Sequence, residues 1–169
     1  MNNKELEKKI NSISFMLTRE KGYMCPVDIL IELGYLSKKD NEAWRFGKVE
    51  YLEKVVMVNL GKLSSINRII RQVARKRALK ESFTTYNKYG NGPKRKLIFS
   101  KSQNYNIEIT YATHYLDAKR IIELKSLYKS GSSGQNIPAD ENNETNEMTI
   151  HESLTNHNSG NSNQTTGLV

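Results

Sequence analysis

The sequence predicts a mainly α fold: a compact helical domain with one long central helix and a small β-hairpin, in an arrangement like a helix-turn-helix or winged helix, followed by a polar tail. Three observations predict it. Apolar residues recur at helical spacing over residues 3–21 and again over residues 49–79. Two short runs rich in aromatic and β-branched residues, Phe83 to Tyr86 and Leu97 to Phe99, flank the turn sequence Tyr89-Gly90-Asn91-Gly92-Pro93. Residues 130–169 hold seven apolar residues and no aromatic, too few to form a core. The 169-residue chain therefore divides into a basic, mainly helical domain over residues 1–129 and a disordered acidic tail over residues 130–169.

Each element follows from local chemistry. Leu6, Ile10, Ile13 and Leu17 form one apolar stripe on a helix from Asn3 to Lys21, with Gly22 as its stop. Pro26 suits the first turn of a short helix through Glu32, whose inward residues are Val27, Leu30, Ile31 and Leu33 before Gly34. Ser37 caps a third helix, Lys38 to Phe46, with Asp40 in its first turn. No proline interrupts residues 49–79, and Leu52, Val56, Leu63, Ile66, Ile70 and Val73 align on one face, so this is the long helix. Its period is near 3.5, and Asn59 falls on the stripe, where a buried amide sets register between paired helices. A homodimer through that seam is thus an alternative to a simple core helix. From Asn104 onward Ile107, Tyr111, His114, Tyr115, Ala118, Ile121 and Ile122 follow helical spacing, although Ile107, Ile109 and Tyr111 also alternate as in a strand. Helix is preferred on length.

Charge points to a partner. The chain carries 26 Lys and Arg against 18 Asp and Glu, and the excess is local. Residues 54–101 hold 13 basic residues and one acid, Glu81, while residues 1–53 balance at nine against nine. A concentrated positive stretch suits a polyanion, and nucleic acid, DNA or RNA, is the expected partner. Arg68, Arg71 and Arg75 lie opposite the Ile66, Ile70, Val73 stripe, and Lys76 and Arg77 extend the charge. Three arginines at spacings of three and four repel one another, which a phosphate backbone relieves. The hairpin loop adds Lys94, Arg95, Lys96 and Lys101, with Tyr86, Tyr89 and Tyr105 interleaved for stacking on bases. The run from Ile31 to Gly47 has the order of a helix-turn-helix, which makes Lys38, Lys39, Asn41 and Arg45 groove-facing candidates. The sole tryptophan, Trp44, belongs to the core instead. The bland alternative for all these cations is solubility and helix capping.

Catalytic readings fare worse. One cysteine, Cys25, permits no internal disulfide and no multi-thiolate zinc site. His114 is the only histidine before the tail, and no P-loop, dinucleotide fingerprint or His-Glu-x-x-His occurs, so neither metal nor cofactor is implied. A metal-independent ribonuclease survives as an alternative, with His114 as base, Lys101 or Arg120 facing the phosphorane, and Tyr111 or Tyr115 orienting the base. No apolar run is long enough for a membrane span, and charges crowd the first 20 residues, so a bacterial-type cytoplasmic protein with no membrane partner is expected.

The segments Glu42-Ala43-Trp44-Arg45-Phe46-Gly47, Tyr51-Leu52-Glu53, Asn59-Leu60 with Lys62-Leu63-Ser64, Phe99-Ser100-Lys101-Ser102 and Tyr111-Ala112-Thr113-His114 resemble a group of uncharacterised bacterial proteins over roughly residues 20–117. The resemblance implies a bacterial origin and transfers no activity and no functional residue.

Overall fold

The computed structural model describes residues 2–131; the expected tail beyond them lies outside the described residues. Helix α1, Asn3–Lys21, opens on a reciprocal cap in which the Asn2 side chain accepts from the Glu5 N–H and Glu5 accepts from the Asn2 N–H. It closes on Gly22 in the left-handed region. A Cβ on Gly22 would lie 2.5 Å from Ile121 Cγ1, so this turn requires glycine for both conformation and space. The chain then forms β1, Tyr23–Met24, and helices α2, Pro26–Glu32, and α3, Lys38–Arg45, the last capped by Ser37 as its sequence predicts.

The long helix is shorter than its periodicity predicts. Residues 52–55 form a single 3-10 turn, and helix α4 spans Leu60–Lys76. Asn59 is not a buried seam residue: its side chain caps α4 by accepting from the Lys62 N–H. The β-branched residues Val55, Val56 and Val58 separate the two pieces and favour extended backbone over helix. Leu52 is buried for a different reason, because the Leu52 and Glu53 N–H groups donate to the carbonyls of Ile98 and Phe99. Leu63, Ile66, Ile70 and Val73 are all buried in the core, and α4 packs on α1, so these stripe residues are covered within the chain.

The sheet is three-stranded and antiparallel, in the order β1, β3, β2, with β2 at Lys80–Phe83 and β3 at Thr113–Leu116. Residues 104–122 are therefore not one helix. Helix α5, Tyr105–Ala112, runs into β3, and helix α6, Ala118–Gly131, follows. The predicted hairpin is displaced: Phe83 pairs with Thr113, not with residues 97–99. The 88–95 loop is closed instead by one bridge, Asn87 with Lys96, and by two backbone bonds, Lys88 N–H to Arg95 O and Leu97 N–H to Tyr86 O. Trp44, Phe99, Tyr111 and Tyr115 are the largest buried side chains, and Trp44 Nε1 donates to the Ile98 carbonyl. No described helix is long and apolar enough to cross a membrane.

Candidate nucleic-acid interface

The basic residues divide by what they already hold. On α4, Arg68, Arg71 and Arg75 are exposed, and none forms an ion pair or hydrogen bond among the described residues. Their helix is fixed from behind by the buried Ile66, Ile69, Ile70 and Val73. Glu81 is the register partner of Tyr115 across the sheet, and the charges of Glu81, Arg71 and Arg75 act on the Tyr115 hydroxyl. Burial, with Glu81 adding to it, pushes that hydroxyl up to about 12 despite the two arginines. Glu81 forms no ion pair with these arginines among the described residues.

Lys76 and Arg77 are different. Lys76 is paired with Glu7 of α1 at 2.5 Å. Arg77 is half-buried and donates to Ser14 Oγ and to Thr18 Oγ1 at 2.8 Å, with its guanidinium over the Phe15 ring. Burial lowers its pKa below the ordinary arginine value. Arg77 is a clamp between α4 and α1, a role its sequence context could not reveal because both acceptors lie about 60 residues away.

The α3 candidates change as well. Lys38 and Lys39 are exposed, at the helix start. Arg45 is half-buried over the rings of Tyr86 and Tyr89, 4.8 and 4.0 Å from their centroids, and donates to the Tyr89 hydroxyl. It fastens the 88–95 loop to α3 and is not a groove reader. Asn41 turns its Oδ1 into a buried position with no donor among the described residues. Trp44 is fully buried, as expected of it.

In the loop, Lys94, Arg95, Lys96 and Lys101 are all exposed. Tyr86 is buried and unavailable for stacking on a ligand, whereas Tyr89 and Tyr105 are exposed. The loop rests on the C-terminal end of α3, where the Tyr89 N–H donates to the Arg45 carbonyl. Helix α4, which carries the arginine ridge, packs on α1, so the two basic surfaces have different supports. Two residues beside the loop escape the sequence reading: Lys88, whose chain approaches Gly47, and Phe46, exposed and edge-on to Tyr89. Their signal was present only as Trp44-Arg45-Phe46-Gly47, a segment that reads as a helix end.

His114 is sequestered. It is 9 % exposed, stacked on Tyr23 at 5.1 Å, and shares a 2.8 Å hydrogen bond with Tyr86 through Nε2. Burial lowers its pKa to about 4, so the ring is neutral near pH 7. Around it Cys25 donates to Asp28, Lys21 pairs with Asp28 at 2.8 Å, and the Tyr86 hydroxyl also reaches Cys25 Sγ. Burial raises the Cys25 pKa far above an ordinary thiol, which makes it a poor nucleophile. The residues paired with His114 in a ribonuclease reading do not converge on it: Arg120 holds the Arg19 carbonyl and Glu123, and Tyr111 donates to Glu53. Among the described residues no cluster of three or more metal-ligating side chains occurs. No family model matches the chain, and no curated protein or solved structure matches it.

Proposed function

We propose that the protein binds nucleic acid, chiefly through backbone phosphates, with Arg68, Arg71 and Arg75 as one contact surface and Lys94, Arg95, Lys96 and Lys101 as a second. One observation carries the reading: three exposed arginines on one rigid helix face have no carboxylate paired with them among the described residues, while the neighbouring Lys76 and Arg77 do have internal partners. Exposed cations that no carboxylate neutralises leave their charge available to a polyanion. Phosphate contact by this set fixes position and supplies affinity without reading sequence.

The helix-turn-helix form of the reading assigns α2 and α3 to a DNA groove. It retains Lys38 and Lys39 as contacts and loses Arg45 and Asn41, whose side chains are turned to internal partners or the interior. A cytoplasmic DNA-binding regulator belongs to that form. The phosphate-contact form rests on more residues and is the one preferred here.

The test is fluorescence anisotropy of the full chain with labelled duplex DNA, single-stranded DNA and RNA at several salt concentrations. Affinity should fall steeply as salt rises. The triple variant R68E/R71E/R75E should lose most of the affinity for duplex DNA, the loop surface alone remaining. Equal signals from the wild type and the variant would overturn the proposal.

A further inference from the structure

The end of α3 and the loop that rests on it place an aromatic pair beside two basic side chains. Phe46 and Tyr89 are 40 % and 43 % exposed, with ring centroids 5.8 Å apart and planes at 79°. Next to Phe46 is Gly47, at φ 71°. A Cβ at Gly47 would lie 2.9 Å from Arg95 Nη2 and 3.1 and 3.3 Å from Lys88 Cδ and Cε. Two basic side chains from opposite arms of one loop thus come together over the same bare backbone. Arg95 finds only the Gly47 carbonyl, at a long 3.5 Å, and neither cation is paired with a carboxylate among the described residues.

Two cations on neighbouring arms of one loop, neither paired with a carboxylate among the described residues, suit an anion that both can reach. Nor is the convergence forced by a slack chain. Lys88 N–H bonds Arg95 O, Tyr89 N–H bonds Arg45 O, and the Arg45 guanidinium lies over Tyr89, so both arms of the loop are held at this point. Two exposed rings in mutual contact offer one continuous apolar surface to a ligand. Exposed aromatic rings with two basic side chains beside them match the two halves of one nucleotide, its base and its phosphate.

We propose that Phe46 and Tyr89 stack on an unpaired base while Lys88 and Arg95 hold its phosphate, so that this face takes single-stranded nucleic acid. The inference rests on the nucleic-acid reading above and deepens it, because paired bases in a duplex do not offer their faces to a protein ring. Arg45 positions the platform: its guanidinium fixes Tyr89 against α3 and does not contact the ligand.

The experiment uses the full chain with a labelled oligothymidylate and a duplex of equal length. The double variant F46A/Y89A should lose at least about tenfold in affinity for the single strand and stay within about twofold for the duplex. The variant K88A/R95A should flatten the salt dependence for the single strand by about one to two units of slope. A 5-bromouracil strand irradiated on the wild-type protein should give adducts at Phe46 or Tyr89, a readout that needs no variant to fold. Equal losses for duplex and single strand, or adducts confined to other residues, would overturn the platform and leave the phosphate-binding proposal standing. Absence of binding to either probe would overturn both.

Discussion

Two polar regions of this molecule differ in how far their groups satisfy one another. Behind the sheet, Lys21, Cys25, Asp28, Tyr86 and His114 bond among themselves, and Tyr23 closes over the histidine. On α4, Arg68, Arg71 and Arg75 face outward with no such partners among the described residues. A buried network of this kind holds the fold, because each group depends on its neighbours for the hydrogen bonds it lost to water. An open cationic face contributes little to the fold and is free to act on something else. The difference separates stability from binding, and variants in the two regions should move different measurements.

The largest expected effect is on binding. R68E/R71E/R75E should remove most of the duplex affinity while the thermal midpoint stays near that of the wild type, and neutral replacements should instead flatten the salt slope by about three. A large drop in the midpoint would mean that the ridge serves the fold and would erase the contrast. Acid should do the converse. Free histidine titrates near 6.5 and folded His114 near about 4, so between those values the unfolded chain holds the extra proton. Stability attributable to this residue is therefore intact above about pH 6.5 and declines as pH falls, by about 2 kcal/mol at pH 5 and about 3 kcal/mol below pH 4. Urea unfolding across this range should show that loss, and His114→Gln should flatten it.

Smaller effects sharpen the contrast within a single helix. Arg77→Ala removes the donor to Ser14 and Thr18, both buried, and should cost about 1–2 kcal/mol in chemical unfolding with little change in affinity. Gly47→Ala places a methyl group in the left-handed region against Lys88 and Arg95, for about 1 kcal/mol. The smallest is Arg71→Gln, within about 0.5 kcal/mol of wild-type stability. That variant should still lower the salt slope by about one, which titration at three salt concentrations resolves.

Local signals made the first third of the fold legible. Gly22, Pro26 and Ser37 mark helix ends by conformational preference or by capping, and α1, α2 and α3 follow their sequence boundaries to within a residue. Farther along, distant partners decide. Thr113 to Leu116 are buried along their whole length and lack the alternation of a one-faced strand, so only their pairing with Tyr23, Met24 and residues 80–83 reveals them as β. Leu52 fits the helical stripe of α4 by coincidence of spacing while its backbone binds Ile98. The candidate site divides in the same way. Arg68, Arg71 and Arg75 were readable from helical geometry, because their exposure depends on one element alone. Arg45, Arg77, Lys88 and Phe46 were not, because their surroundings come from residues more than 40 positions away.

Glu108 has a consequence for the limits of the sheet. Its carboxylate accepts from the Phe99 and Ser100 N–H groups at 3.0 and 2.8 Å and from Ser100 Oγ at 2.7 Å. A single side chain on α5 thereby does the work of a fourth strand, splinting an extended segment whose other edge leans on residues 52–53. That stretch of main chain is consequently no template for a foreign strand, and exchanging the carboxylate for a methyl group would unmask it.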